Sequence, residues 1–326
     1  MANAVNERAD VVELCSWQGE GVGVGDVLDA LERLRRGQQR TATRTSVVSL
    51  VVVATDEDEA RRACDADRLL GGRHPGRTIT VRCMGEAEDG PRIDADVVLE
   101  GAGDVWWEEV QLRVAGPVTS HLDSLIEPLV LADLPTALWF AGRLPEWDDP
   151  LLRTADAVLV DSKEAPQDSS FALIEQLLRH HPVVDLSWVR LRPWRVLLAG
   201  LFEGSTYRPF VHRVSSVSVA GKPGPRRLLA GWLVSRLGLS PSAVTLGDDR
   251  HVQVRLEADG ACFEVTRQPG ERVVRASARV AGGPGHEDVL SLPDQSLPWS
   301  LGEALTHLGR DKVYEQSLHA LLGFAS

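Results

Sequence analysis

The sequence predicts an α/β N-terminal domain with a mainly parallel sheet, followed by an α+β C-terminal domain with antiparallel strands. Three observations predict it. Residues 46–54 (SVVSLVVVA) form a nearly unbroken β-branched run, of the kind buried on both faces of a parallel sheet. Strand-like and helix-like patterns alternate through the first half of the chain, as in a layered α/β domain. From Ser169 onward the alternation gives way to helices and then to several short strands in succession. At 326 residues the chain is about twice a typical domain length, and the change of pattern divides it into domains at 1–165 and 166–326.

In chain order, residues 11–15 read as a short strand, and Asp26 caps a helix whose apolar positions Val27, Leu28, Leu31 and Leu34 share one face before Gly37. The run 46–54 follows. Asp56 and Glu59 have capping-box-like spacing for a helix reaching Leu70, and residues 78–83 close a βαβ unit whose crossover permits parallel pairing. Residues 97–100 and 109–114 read as an antiparallel pair, the second alternating through Val110, Leu112 and Val114. Val118, Leu122, Leu125, Ile126 and Leu129 form a helical stripe that Pro128 should kink or split. Residues 136–140 and 157–161 have the composition of buried strands, with a short helix near Leu151 between them.

In the second half, Phe171, Ile174, Leu177 and Leu178 mark one helix, and residues 188–202 mark another, amphipathic despite Pro193. A strand is expected over 213–220 and a helix over 226–237. Three antiparallel strands follow at 252–257, 262–267 and 273–280, and closing helices at 301–308 and 313–322. The AGGPG segment, 281–285, reads as a flexible turn.

Composition narrows the function. Asp plus Glu (47) exceed Lys plus Arg (35), a net charge of −12 that repels phosphate backbones and anionic lipid heads, so neither nucleic acid nor membrane is expected as a partner. No apolar run approaches the ~20 residues of a membrane span, and residues 1–10 lack the regions of a signal peptide, so a cytoplasmic location is expected. Cys15, Cys64, Cys83 and Cys262 are far apart, without a CxxC or a histidine at ligand spacing; reduced, mostly buried thiols and no metal are the reading. Of the 35 basic residues only Lys163, Lys222 and Lys312 are lysines, a bias expected of a GC-rich genome.

No segment assembles an acid, a base and a pocket, and no cofactor motif is complete. The segment 19–25 (GEGVGVG) lies where a dinucleotide fingerprint would sit. A GxGxxG register would need glycine at Val24, Asp26 or Leu28, so it reads as a mobile loop. The segment 221–227 (GKPGPRR) enters a helix and offers Lys222, Arg226 and Arg227 as candidate anion-binding residues, although two prolines remove amide donors that a phosphate cradle uses. Ser162 follows a strand without a GxSxG and reads as a cap rather than a nucleophile. His121 and Glu127 are six apart and do not share a helical face, which argues against a metal there, and His180-His181 suit a helix C-terminus. Trp188 and Trp194 flank Arg190, Arg192 and Arg195, an interleaving typical of binding hot spots that core packing also explains.

Several blocks resemble the glucose-6-phosphate dehydrogenase assembly protein (OpcA) family of actinobacteria and cyanobacteria. They are residues 17–36 (WQGEGVGVGDVLDALERLRR), 50–56 (LVVVATD), His74-Pro75-Gly76-Arg77, 116–121 with Asp123-Ser124, and 128–140. In the second half come 185–202 (DLSWVRLRPWRVLLAGLF), 228–238 (LLAGWLVSRLG) and 311–318 (DKVYEQSL). The likeness spans residues 17–320, and the arginine bias suits an actinobacterial member. The resemblance implies a non-catalytic partner that binds glucose-6-phosphate dehydrogenase and favours its active oligomer, controlling entry to the oxidative pentose phosphate pathway. It implies no catalytic residue, cofactor or metal. In cyanobacteria the family is associated with thioredoxin-linked control, but without a CxxC this chain's own cysteines are not expected to serve it. Trp188, Arg190, Trp194 and Arg195, with His121 and Asp123, are the motif positions expected to contact the partner or to support the motif. The other reading is an enzyme or sensor of a sugar phosphate or nucleotide that uses Lys222, Arg226 and Arg227.

Overall fold

The computed structural model describes residues 12–38, 46–70, 73–85, 90–102, 105–163, 167–267, 270–283 and 285–325. The chain forms two compact units, one of residues 1–160 with 297–308 and the other of residues 161–296 with 309–326.

The first unit contains β1 (Val12–Gly19), α1 (Val24–Gln38), β2 (Val48–Ala54), α2 (Glu57–Leu70), β3 (Gly76–Cys83), β4 (Arg92–Ala102) and β5 (Val105–Ala115). After β5 come a 3₁₀ turn, α3 (Leu122–Ile126) and a further 3₁₀ turn, then β6 (Thr136–Phe140), a 3₁₀ turn at Pro150–Thr154 and β7 (Ala157–Val160). Within this unit the strands lie in the order β1-β4-β5-β3-β2-β6-β7. The pairs β3–β5, β2–β3, β2–β6 and β6–β7 are parallel, whereas β1–β4 and β4–β5 are antiparallel, so the sheet is mainly parallel as expected. Every residue of β2 is buried, as its unbroken apolar run requires of a central parallel strand.

The capping signal at α2 is used: the Glu59 amide donates to Asp56 Oδ1 at 2.8 Å, while the Glu59 carboxylate reaches back to the Thr55 amide at 2.9 Å. Pro128 splits the stripe after β5 into short turns, because it cannot donate to the preceding helical ladder. The loop at 19–25 is pinned rather than mobile. The Gly21 amide donates to Asp94 Oδ1 at 2.9 Å and the Val22 amide to the Ile93 carbonyl at 2.9 Å. The sheet buries carboxylates on both faces, Glu108 on one and Glu100 with Glu109 on the other, and guanidiniums hold them. Glu108 bridges Arg35 and Arg77, and Arg68 reaches Glu100 at 2.8 Å and Glu109 at 3.2 Å.

The second unit contains α4 (Asp168–Leu178), β8 (Val183–Asp185), α5 (Leu186–Arg190), α6 (Arg192–Leu201), β9 (Val214–Gly221), α7 (Pro223–Leu237) and β10 (Val244–Asp248). There follow β11 (Gln253–Ala258), β12 (Ala261–Thr266), β13 (Val273–Val280) and β14 (His286–Ser291). The chain then adds α8 (Leu297–Thr306) to the first unit and α9 (Lys312–Leu322) to the second. The second sheet runs β10-β9-β11-β12-β13-β14, antiparallel except for β10–β9. Its central strands alternate buried and accessible residues, and Phe202, Tyr207 and Phe210 gather around Phe263. The turn expected over 281–285 joins β13 to β14, with residue 284 outside the described residues.

Two further sequence expectations change. The single helix expected over 188–202 is two helices broken at Leu191, because Pro193 lacks the amide a continuous ladder needs and its ring would meet the carbonyl one turn back. The thiols are less buried than expected: Cys64 is buried, but Cys15, Cys83 and Cys262 are half-buried. No helix among the described residues is long and apolar enough to cross a membrane.

Candidate functional site

Asp161 and Ser162 leave the end of β7 and enter the second unit, where the segment 185–202 folds over them. Asp185 is the N-cap of α5: its Oδ1 accepts from the Ser187 amide at 2.8 Å and from the Ser162 amide at 3.2 Å. Its Oδ2 accepts from Tyr314 Oη at 3.1 Å. Asp161 is held as tightly, accepting from Ser187 Oγ at 2.7 Å and from Arg190 Nη1 at 2.8 and 3.0 Å. Burial, reinforced by the neighbouring Asp161 carboxylate, pushes Asp185 up to about 6, and burial pushes the Tyr314 hydroxyl well above its ordinary value.

The tryptophans of this segment are anchored from behind. Trp188 Nε1 donates to Asp311 Oδ2 at 2.8 Å, while Asp311 Oδ1 caps α9 through the Val313 and Tyr314 amides at 2.8 and 3.0 Å. The Trp188 and Tyr314 rings lie 5.5 Å apart, and the Arg195 guanidinium stacks 3.4 Å from the centre of the Trp188 ring. Burial pulls Arg195 down to about 10. Trp194 Nε1 donates to the Val252 carbonyl at 3.2 Å, tying α6 to the loop before β11. Trp188 and Trp194 are only 5% and 3% exposed, so their rings hold α5, α6, α9 and the β10–β11 loop together and offer a partner almost no area. Two glycines allow α7 to complete the cluster. A Cβ at Gly224 would run into the Ser162 carbonyl, and one at Gly231 into the Ser317 carbonyl of α9.

The expected site residues are thus only partly assembled. Trp188, Arg190, Trp194 and Arg195 converge in the second unit. His121 and Asp123 belong to the first, where His121 is exposed at the end of a 3₁₀ turn and Asp123 lines a separate cleft with Glu127, Arg153 and Asp156. The trio Lys222, Arg226 and Arg227 does not act together. Arg226 pairs with Asp248 and donates to the Gly247 carbonyl at 3.1 Å, Arg227 pairs with Asp168, and Lys222 faces a cavity that the other two do not line. That cavity, of about 130 Å³, is lined by Lys163, Arg190, Lys222, Arg250, His251 and Arg267 over an apolar floor of Leu191, Trp194, Pro225 and Val252. Sequence reasoning missed Arg250, His251 and Arg267, which come from separate segments and carry no motif. Among the described residues no three His, Cys, Asp or Glu side chains gather as a metal would require.

Two family models match the chain, both described as domains of a glucose-6-phosphate dehydrogenase subunit. The N-terminal domain of that description matches residues 67–176, and its C-terminal domain matches residues 181–318. Among curated relatives, the OpcA protein of Synechocystis, named for the OxPP cycle, is 23% identical over 66% of this chain and 55% of its own length. That of Nostoc punctiforme is 27% identical over 41% of this chain and 30% of its own. The chain therefore spans about half the length of these relatives, or less. Among solved structures, one from Magnetospirillum magnetotacticum named as an oxidoreductase covers 86% of this chain and 99% of its own at 11% identity and a TM-score of 0.44. One from Desulfitobacterium hafniense, named as an NADPH-dependent oxidoreductase, covers 86% and 95% at 9% identity and a TM-score of 0.45. Likenesses at these scores carry no functional weight. Two adjoining domain matches covering most of the chain agree with the curated relatives: the chain belongs to the OpcA family.

Proposed function

We propose that this chain is a non-catalytic assembly factor that binds glucose-6-phosphate dehydrogenase and favours its active oligomer. The observation that carries the reading is the pair of family matches, over residues 67–176 and 181–318, to domains described by that dehydrogenase. The local chemistry supports it. The carboxylates gathered after β7 are engaged with their neighbours, since Asp161 holds Arg190 and Ser187, and Asp185 holds the Ser162 and Ser187 amides and Tyr314. A network so committed positions backbone; it does not present a general base to a substrate. Such a factor works by binding the active assembly more tightly than the inactive one, and a difference of about 1–3 kcal/mol changes the relevant affinity roughly 5- to 150-fold.

The test is to add the purified chain to its cognate dehydrogenase, follow NADPH formation against glucose 6-phosphate, and measure the mass of the mixture. A co-migrating complex with a raised rate or a lowered KM is expected. No complex and no kinetic change would refute the reading.

A further inference from the structure

The cavity beside α5 and α6 has a charge pattern that the rest of the molecule does not explain. The chain carries a net charge of −12, yet five Lys or Arg side chains and one imidazole line this hollow, and among the described residues no Asp or Glu does. They arrive from separate places. Lys163 lies just beyond β7, Arg190 ends α5, Lys222 caps α7, Arg250 and His251 lie between β10 and β11, and Arg267 follows β12. Arg190 is balanced by Asp161. Among the described residues, Lys163, Lys222, Arg250 and Arg267 make no ion pair with a carboxylate. The acidic residues that precede Arg250 in the chain are turned to other work: Asp248 pairs with Arg226, and Asp249 accepts from the His251 amide at 3.0 Å and from Gln253 Nε2 at 3.1 Å.

Four positive charges that have no carboxylate partner among the described residues converge on one concave surface and repel one another, and low-dielectric walls focus their field on whatever occupies the space. A bound anion resolves that repulsion. The framework is rigid enough to select one. The Lys163 amide is fixed by Ser187 Oγ at 3.0 Å, the Arg190 carbonyl accepts from Gln295 Nε2 at 3.0 Å, and Trp194 is tied to Val252. The cavity's 130 Å³ matches the liquid volume of roughly four water molecules. That suits a phosphoryl group with a short carbon skeleton and is too small for a dinucleotide. Guanidinium forks and ammonium points suit a dianionic phosphate, and the floor of Leu191, Trp194, Pro225 and Val252 suits the carbon part.

We infer that this cavity binds a small phosphorylated metabolite, a phosphomonoester held by Lys163, Lys222, Arg250 and Arg267 and packed against Trp194. This goes beyond the assembly role, and it is tested on the chain alone, so its failure leaves the partner reading untouched and the reverse also holds.

The experiment is calorimetric titration of the full chain with glycerol 3-phosphate, glucose 6-phosphate and 6-phosphogluconate, with inorganic phosphate, sulfate and glucose as comparisons. At least one phosphomonoester should bind saturably at one site, about tenfold or more tighter than inorganic phosphate or sulfate, with glucose silent. Lys222→Ala and Arg250→Ala should each weaken binding about tenfold or more, whereas Arg179→Ala, an exposed cation that does not line the cavity, should leave it unchanged. Three outcomes overturn the inference: no saturable binding of any ester at concentrations on the order of 10 mM, equal affinity for ester and bare anion, or binding indifferent to the Lys222 and Arg250 substitutions.

Discussion

Replacing Asp185 by asparagine isolates the energetic role of the carboxylate at the start of the 185–202 block. Its pKa rises from the ordinary 3.8 to about 6 in the folded protein, chiefly through burial. The sign follows from proton counting. Between those two values the folded state holds a proton that the unfolded state has released, so stability falls as pH rises from about 4 to about 6. A shift of about two units corresponds to about 3 kcal/mol, lost progressively across that window and absent above it. Asparagine keeps an oxygen for the Ser162 and Ser187 amides, and its amide can donate to Tyr314 Oη where the carboxylate accepted. Asp185→Asn should therefore remove this slope and should be as stable as the wild type, or more so, near neutral pH. The assay is urea unfolding followed by tryptophan fluorescence from roughly pH 4 to 7, taking the difference between wild type and variant so that other titrating groups cancel. A difference that stays flat across the window, or one in which the wild type gains on the variant as pH rises, would refute the assignment.

Other perturbations reach different parts of the structure. Asp311→Ala removes the α9 cap and leaves the buried Trp188 indole N–H without its acceptor, for a loss of about 2–4 kcal/mol read as a lower unfolding midpoint. Gly231→Ala would ordinarily favour a helix by about 1 kcal/mol, but here its methyl meets the Ser317 carbonyl of α9, so a net destabilisation of about 1–2 kcal/mol is expected in thermal unfolding. In the first unit, Glu108→Ala strands the buried Arg77 guanidinium and should cost about 3–5 kcal/mol, measurable by denaturant titration. Cys64, buried and pushed up to about 12, should resist alkylation near pH 8 in the folded protein and react once it is denatured, as thiol counting by mass spectrometry would show.

The elements legible in the sequence were those whose pattern matches their final environment. The run at β2 could only be a strand buried on both faces, the spacing at Asp56 and Glu59 marked the start of α2, and the alternation along β11, β12 and β13 marked half-buried antiparallel strands. The strands missed were β8, three residues long, and the edges β10 and β14, whose accessible, polar residues show no period because edge strands bury little. The motif block at 185–202 was visible as a block, but its internal logic was not. Asp185, Asp311 and Tyr314 matter because folding brings a cap of α5 and a cap of α9 onto the same cluster across 126 residues, from Asp185 to Asp311. The phosphate-sized cavity shows the same division. One of its cations, Lys222, stood in a recognisable loop, whereas Arg250 and Arg267 lay in segments that read as ordinary turns and strand ends. Local propensity and hydrophobic period reside in neighbouring residues and so can be read along the chain, but a convergence of charges depends on which distant backbones pack together, and only the tertiary structure decides that.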